Sequence, residues 1–154
     1  MMAARGKEAT EVAESRTGSR LDLEVAARAR SVGEARRAVA SFLSASAVPS
    51  VVVDDIELVT SELVTNAVVH PVPSDHPIRI CVSVGAAVML EVAHHGPSTA
   101  LPPVETWQMA APAEPSGRGL GIVRRLCDEV QVSQEGGWAV VACGRRLPDG
   151  GGAG

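Results

Sequence analysis

Glu62 and Asn66 stand four positions apart in SELVTNAVVH, residues 61–70, within a run otherwise rich in valine and leucine. A carboxylate in such a pair can take a proton from an attacking hydroxyl or water, and an amide oxygen can ligate a hard cation such as Mg²⁺. At about 100° per residue, Asn66 lies about 40° round a helix from Glu62, Val59 about 60°, His70 about 80°, Leu63 about 100° and Ile56 about 120°. The polar residues therefore share a flank with the apolar stripe. Burying an unpaired amide costs about 1–3 kcal/mol, and an unpaired carboxylate more, so an inward pair needs a ligand or partners. A position at the rim, facing water, satisfies the same spacing with no ligand at all. The chemical reading depends on a phosphate cradle elsewhere in the chain.

The segment SGRGLGIVRRL, residues 116–126, offers one. Gly117, Gly119 and Gly121 precede or open a helix, so bare backbone N–H groups and the positive end of a helix dipole face an anion. Arg118 adds a cation. No Gly-Lys-Ser/Thr follows, which excludes a Walker A loop. Taken alone, the glycine run equally fits a flexible loop leading into a helix.

The elements that must position these residues are readable from pattern. RLDLEVA (20–26) has the alternation of a strand. Ser31 and Glu34 form a capping-box pattern for a helix from Val32 to about Ala47, and a second helix starts near 51–54 and runs to His70, where a proline stops it. Residues 78–85 and 87–95 read as an antiparallel hairpin, as do 129–134 and 138–146 across Gly136-Gly137. Between the hairpins lie a long Pro/Ser/Ala/Gly loop (96–118), of the kind that often acts as a lid, and a helix from about Leu120 to Cys127. Trp107 and Met109 in that loop either cover a ligand or close the edge of the domain. The order implies an α+β two-layer sandwich, with a mostly antiparallel sheet and helices on one face. Residues 1–19 and 147–154 are expected to be disordered tails flanking one domain, 20–146.

The 154 residues fit one domain, with 45% apolar and 21% charged residues. A net charge of −4 and the absence of a basic run argue against nucleic-acid binding. Cys81, Cys127 and Cys143 are isolated and never spaced C-x-x-C, which suits reduced, buried thiols. The first twenty residues lack an apolar signal region and no apolar run could span a bilayer, so a cytoplasmic protein without membrane association is expected. His94 and His95 belong to no recognised zinc spacing and read as solvent-facing residues at a strand end.

ELVTNAVVH (62–70), AHHGPS (93–98) and GRGLGIV (117–123) together resemble the N, G1 and G2 boxes of the GHKL ATPase/kinase superfamily, in the order and spacing of its small anti-sigma-factor serine/threonine kinase branch. The likeness covers about residues 20–146. It implies a Bergerat-type ATP pocket between helices and sheet, with Glu62 as the base and Asn66 holding Mg²⁺. His70 positions phosphate or is a helix-terminal residue. His94, Gly96, Gly117, Arg118, Gly119, Leu120 and Gly121 would complete the nucleotide site. The resemblance also implies a small STAS-type anti-anti-sigma protein as phosphoryl acceptor, a sequestered sigma factor and a possible homodimer.

Two departures from the family pattern fall on the adenine side. His94 stands where the G1 box has Asp, with Gly96 kept and Ser98 replacing its last glycine; Trp138-Ala139 stands where the family has Gly-Thr. A hydrogen bond to a charged group contributes about 1.5–3 kcal/mol, so its loss weakens ATP by about one to two powers of ten. A neutral His94 offers one acceptor nitrogen in one tautomer. Two functions follow: an ATP-dependent protein kinase, or a weakly nucleotide-binding module of the same fold that grips a sigma factor or an anti-anti-sigma protein.

Overall fold

The computed structural model describes residues 12–17, 19–69, 76–98, 101–107 and 115–148, and only the backbone of 16–17 and 115–118. His70 and Met109 lie outside the described residues. Among the described residues, six strands form one sheet in the order β1-β2-β3-β4-β6-β5, every neighbouring pair antiparallel. They are β1 (Val12–Thr17), β2 (Arg20–Val25), β3 (Ile78–Val84), β4 (Ala87–His95), β5 (Glu129–Glu135) and β6 (Trp138–Arg146). Among the described residues, three α-helices cover one face: α1 (Arg30–Ala45), α2 (Ser50–Val69) and α3 (Pro115–Leu126). This is the expected α+β architecture.

Strand alternation builds the two faces. Leu21, Leu23 and Val25 of β2, Ile80 and Val82 of β3, and Leu90 and Val92 of β4 are buried toward the helices. Register pairs Ile80 with Val92 and Val82 with Leu90, so β-branched and leucine side chains stack across strands. Within the tail expected over residues 1–19, the described residues 12–17 form β1, which pairs with β2 from Val12↔Val25 to Thr17↔Arg20. Its sequence, VAESRT, carries little apolar pattern; the main-chain ladder along the edge of β2 organises it.

In α1 the apolar stripe Ala35, Val39, Phe42 and Leu43 is buried, but the helix starts earlier than the capping pattern implies. Ala29 occupies the N-cap without a side-chain bond. Backbone bonds from Ser31 N to Arg28 O (3.0 Å) and from Val32 N to Ala29 O (3.2 Å) tighten the first turn instead. Ser31 is thus inside the helix, and its Oγ and the Glu34 Oε1 are buried without hydrogen bonds. Ala47, at φ 59°, ends the helix in the left-handed region.

The helix α2 buries residues on most of its circumference, Val52, Val53, Ile56, Val59, Leu63 and Val64 among them, because it runs between α1, α3 and the sheet. Thr60 is fully buried and donates its hydroxyl to Ile56 O at 2.7 Å, which satisfies it locally.

The described part of the loop expected to be a lid is a packed strap. Leu101 and Trp107 are buried, Trp107 Nε1 donates to Pro102 O at 2.8 Å, and Arg124 Nη1 of α3 donates to Glu105 O at 2.8 Å. Trp107 closes the edge of the domain. No described helix is long and apolar enough to cross a membrane.

Candidate nucleotide site

Glu62 and the glycine segment converge. Glu62 and Asn66 are both half-buried on α2, one turn apart and flanked by buried Leu63 and Ala67. Glu62 reaches across to α3: a Cβ built on Gly119 would overlap Glu62 Oε2 and lie 3.2 Å from Glu62 Cδ. A side chain at 119 would have to push this carboxylate aside. The motifs are 57 positions apart by residue number, and packing of α3 on α2 brings them into van der Waals range.

α3 begins at Pro115, earlier than the expected Leu120. Proline suits a first helical position because its missing N–H would be unpaired there anyway. The first-turn donors without intrahelical acceptors are then the amides of Ser116 and Gly117. Those of Gly119, Leu120 and Gly121 fall within the helical ladder, and Leu120 is buried in the core. This changes how the segment can meet an anion: the first turn offers N–H groups, while Gly119 offers clearance to Glu62.

His94 ends the helix-facing row of β4, after Val88, Leu90 and Val92, and is 8% exposed. Its expected solvent-facing position is therefore corrected. Its cross-strand partner is Ala139, buried on the same face. Trp138 points the other way. It meets His95 and His76 edge-on at ring-centroid distances of 5.5 and 5.6 Å, and the Arg79 guanidinium lies 4.0 Å over its ring. Trp138 thus faces away from His94, and of the two residues that depart from the family pattern at 138–139 only Ala139 shares the His94 face. A cavity of about 560 Å³ on that open sheet face is lined by Asp22, Arg79, Glu91 and Trp138 and, of the described motif residues, by Ala93 alone.

Gly96 lies just past His94 and takes φ 145°, a conformation that favours glycine. Its N–H donates to Gly137 O at 2.8 Å. Gln134, a residue the motif pattern does not include, clamps this turn: its Nε2 donates to Gly96 O at 3.2 Å and its Oε1 accepts from Ser98 N at 2.5 Å. No sequence signal pointed to Gln134; the structure pairs it with Ala139 across β5 and β6. A second unanticipated node joins the helices to the sheet. Arg145 Nη1 of β6 lies 2.9 Å from Asp55 Oδ2 of α2 and donates to Leu126 O of α3 at 2.9 Å. Among the described residues, no group of three or more His, Cys, Asp or Glu is placed to hold a metal ion.

Residues 25–143 match the histidine kinase-like ATPase domain family, and the chain belongs to that family. Two solved structures share its fold. One contains the RsbU and RsbW domains of Rv1364c from Mycobacterium tuberculosis, at 19% identity and a TM-score of 0.65 over 84% of this chain and 33% of that one. The present chain thus spans about a third of that protein's length. The other is the SiaB–SiaC complex from Pseudomonas aeruginosa, at 14% identity and a TM-score of 0.60 over 93% of this chain and 95% of the matched one. No curated protein matches the chain by sequence.

Proposed function

We propose that the chain binds Mg–ATP between α2, α3 and the end of β4, and transfers the γ-phosphoryl group to a serine or threonine of a small STAS-type anti-anti-sigma protein. In this reading it also sequesters a sigma factor and so regulates transcription. The observation that carries the proposal is the seating of the Glu62 carboxylate against Gly119. Membership of a family of ATPase domains, and a fold shared with an RsbW-containing structure and a SiaB–SiaC complex, support it.

The residues fit a magnesium nucleotide by their chemistry. The Asn66 amide oxygen is a hard ligand, the amides of the first turn of α3 are donors suited to phosphate oxygens, and Glu62 is an acceptor one helical turn from Asn66. Magnesium, when bound, would neutralise charge on the phosphate oxygens. Glu62 accepts the proton of the incoming hydroxyl. Half-burial and contact with Gly119 limit where its carboxylate can go, so the acceptor is pre-positioned. The Gly96 turn, held by Gln134 and Gly137, fixes the end of β4 and with it His94. Catalysis on such a frame is mainly positioning and charge stabilisation.

The experiment is phosphoryl transfer from ATP to the STAS-type proteins of the source organism, with wild type and Glu62→Ala side by side. Loss of transfer by about 10²–10⁴-fold, with nucleotide binding intact, is expected of a lost base. Transfer by Glu62→Ala at the parent rate contradicts the assignment. A second reading, a gripping module with degraded nucleotide recognition, is favoured by one feature: His94 and Ala139 together place no carboxylate or hydroxyl on the adenine side.

A further inference from the structure

Gln134 belongs to none of the three motifs, yet its side chain is fully engaged where β4 ends. Register places it in one cross-strand row with Ala139 and His94, on β5, β6 and β4 in turn. Two inter-strand steps of about 4.8 Å set its Cα about 10 Å from that of His94, so its influence there passes through the backbone. A carboxamide has one acceptor oxygen and an NH2 group with two donors. The groups around Gln134 are the matching set, one N–H and two carbonyls. Its Oε1 accepts from Ser98 N at 2.5 Å, and its Nε2 donates to Gly96 O at 3.2 Å and to Gly136 O at 2.9 Å.

The backbone completes the arrangement. Gly96 N donates to Gly137 O at 2.8 Å, so both glycines of the β5–β6 turn hold the Gly96 turn, one directly and one through Gln134. Ser98 O accepts from Leu101 N at 3.0 Å, and Leu101 is buried. The segment that follows His94 is therefore fastened on the hairpin side and again at the start of the strap. Gln134 itself is exposed, which limits what it contributes to the core. A glutamate of the same shape would keep an acceptor for Ser98 N–H but set oxygen against both carbonyls.

We propose that Gln134 is a positioning residue for the base of a bound nucleotide: by tying Gly96 and Ser98 to the β5–β6 turn it fixes the chain just after His94, and so sets adenine-nucleotide affinity without touching the ligand. This role rests on the nucleotide site proposed above. A loose turn must be ordered when ligand binds, and that ordering subtracts from the binding free energy, whereas a turn already fastened avoids the loss. The effect belongs to the base end, because Gly96 and Ser98 follow His94, while the phosphate-facing amides lie on α3.

The test is calorimetric titration of the full chain with magnesium and either ATP or ADP, for wild type, Gln134→Ala and Gln134→Glu. Amide hydrogen exchange of the ligand-free proteins, followed by NMR, accompanies it. Both variants should weaken ATP and ADP by the same factor, about 3–10-fold, the scale of one uncharged hydrogen bond. In Gln134→Ala the Ser98 amide should exchange faster before any nucleotide is added. The equal loss in Gln134→Glu, whose side chain fills the same space, assigns the effect to the two donors rather than to packing. Wild-type heat that both variants leave unchanged, or a loss confined to ATP, overturns the positioning role alone. Absence of wild-type heat at about 1 mM nucleotide overturns the nucleotide site and this role with it.

Discussion

Glu62 on α2 and Gly119 on α3 are packed so closely that a methyl group on the glycine would collide with the carboxylate. The contact joins the two sequence motifs on which the proposed chemistry rests, and it gives the glycine a role distinct from donating an amide. Gly119 costs the helix about 0.5–1 kcal/mol relative to alanine, and what that cost secures is room for an acid.

Gly119→Ala should therefore separate stability from activity. The added methyl favours the helix, while the displaced Glu62 carboxylate leaves its proton-accepting position. Phosphoryl transfer should fall by about 10²-fold, the scale expected of a misplaced catalytic group. The melting temperature should not fall. Thermal denaturation and initial-rate assays on one preparation check both halves; a variant that loses stability and keeps its rate reverses the expectation.

The adenine side makes a separate prediction. His94 lies in the helix-facing row of β4 next to Ala139, with Trp138 turned to the other face. His94→Asp should tighten adenine nucleotide by about 10–100-fold, the worth of one charge-assisted hydrogen bond. It should also lower stability in the absence of nucleotide, because a carboxylate replaces a nearly buried ring. Titration calorimetry with ATP and with GTP measures the first effect, and equal tightening for both nucleotides would place His94 away from the base.

Arg145 holds three elements at one atom, Asp55 of α2 and the Leu126 carbonyl of α3 both lying 2.9 Å from its Nη1. Its side chain is about a quarter exposed, so screening reduces what the pair contributes. Arg145→Ala should cost about 1–3 kcal/mol and lower the melting temperature by about 2–4 °C for each of these. Asp55→Asn should cost less, because the bond to the Leu126 carbonyl survives. Urea titration of the two variants checks the order.

Much of this was readable before any coordinates. Both hairpins announce themselves through alternating β-branched residues around Gly85-Ala86 and Gly136-Gly137, and all four strands formed as expected. The polar pair on α2 stood out because a 3.6-residue period sets Glu62 and Asn66 beside Leu63. Other features depended on tertiary packing. β1 has almost no apolar signal and is held by a main-chain ladder. The early start of α3 runs through two glycines, Gly117 and Gly119, which propensity disfavours, and packing on α2 overrides it. Trp107 could equally cover a ligand or seal an edge until the bonds from Trp107 to Pro102 and from Arg124 to Glu105 placed the strap against α3. The facing of Trp138 turned on a single residue of strand register, which sequence pattern leaves open.

The most direct measurement is calorimetric titration of the full chain with ATP, with and without Mg²⁺, beside Asn66→Ala. The account predicts saturable heat that depends on magnesium, even if the affinity is as weak as about 1 mM, and its loss in the variant. Heat that is absent at that concentration, or unchanged by magnesium and by the substitution, would mean that the acid and amide of α2 do not serve a bound triphosphate.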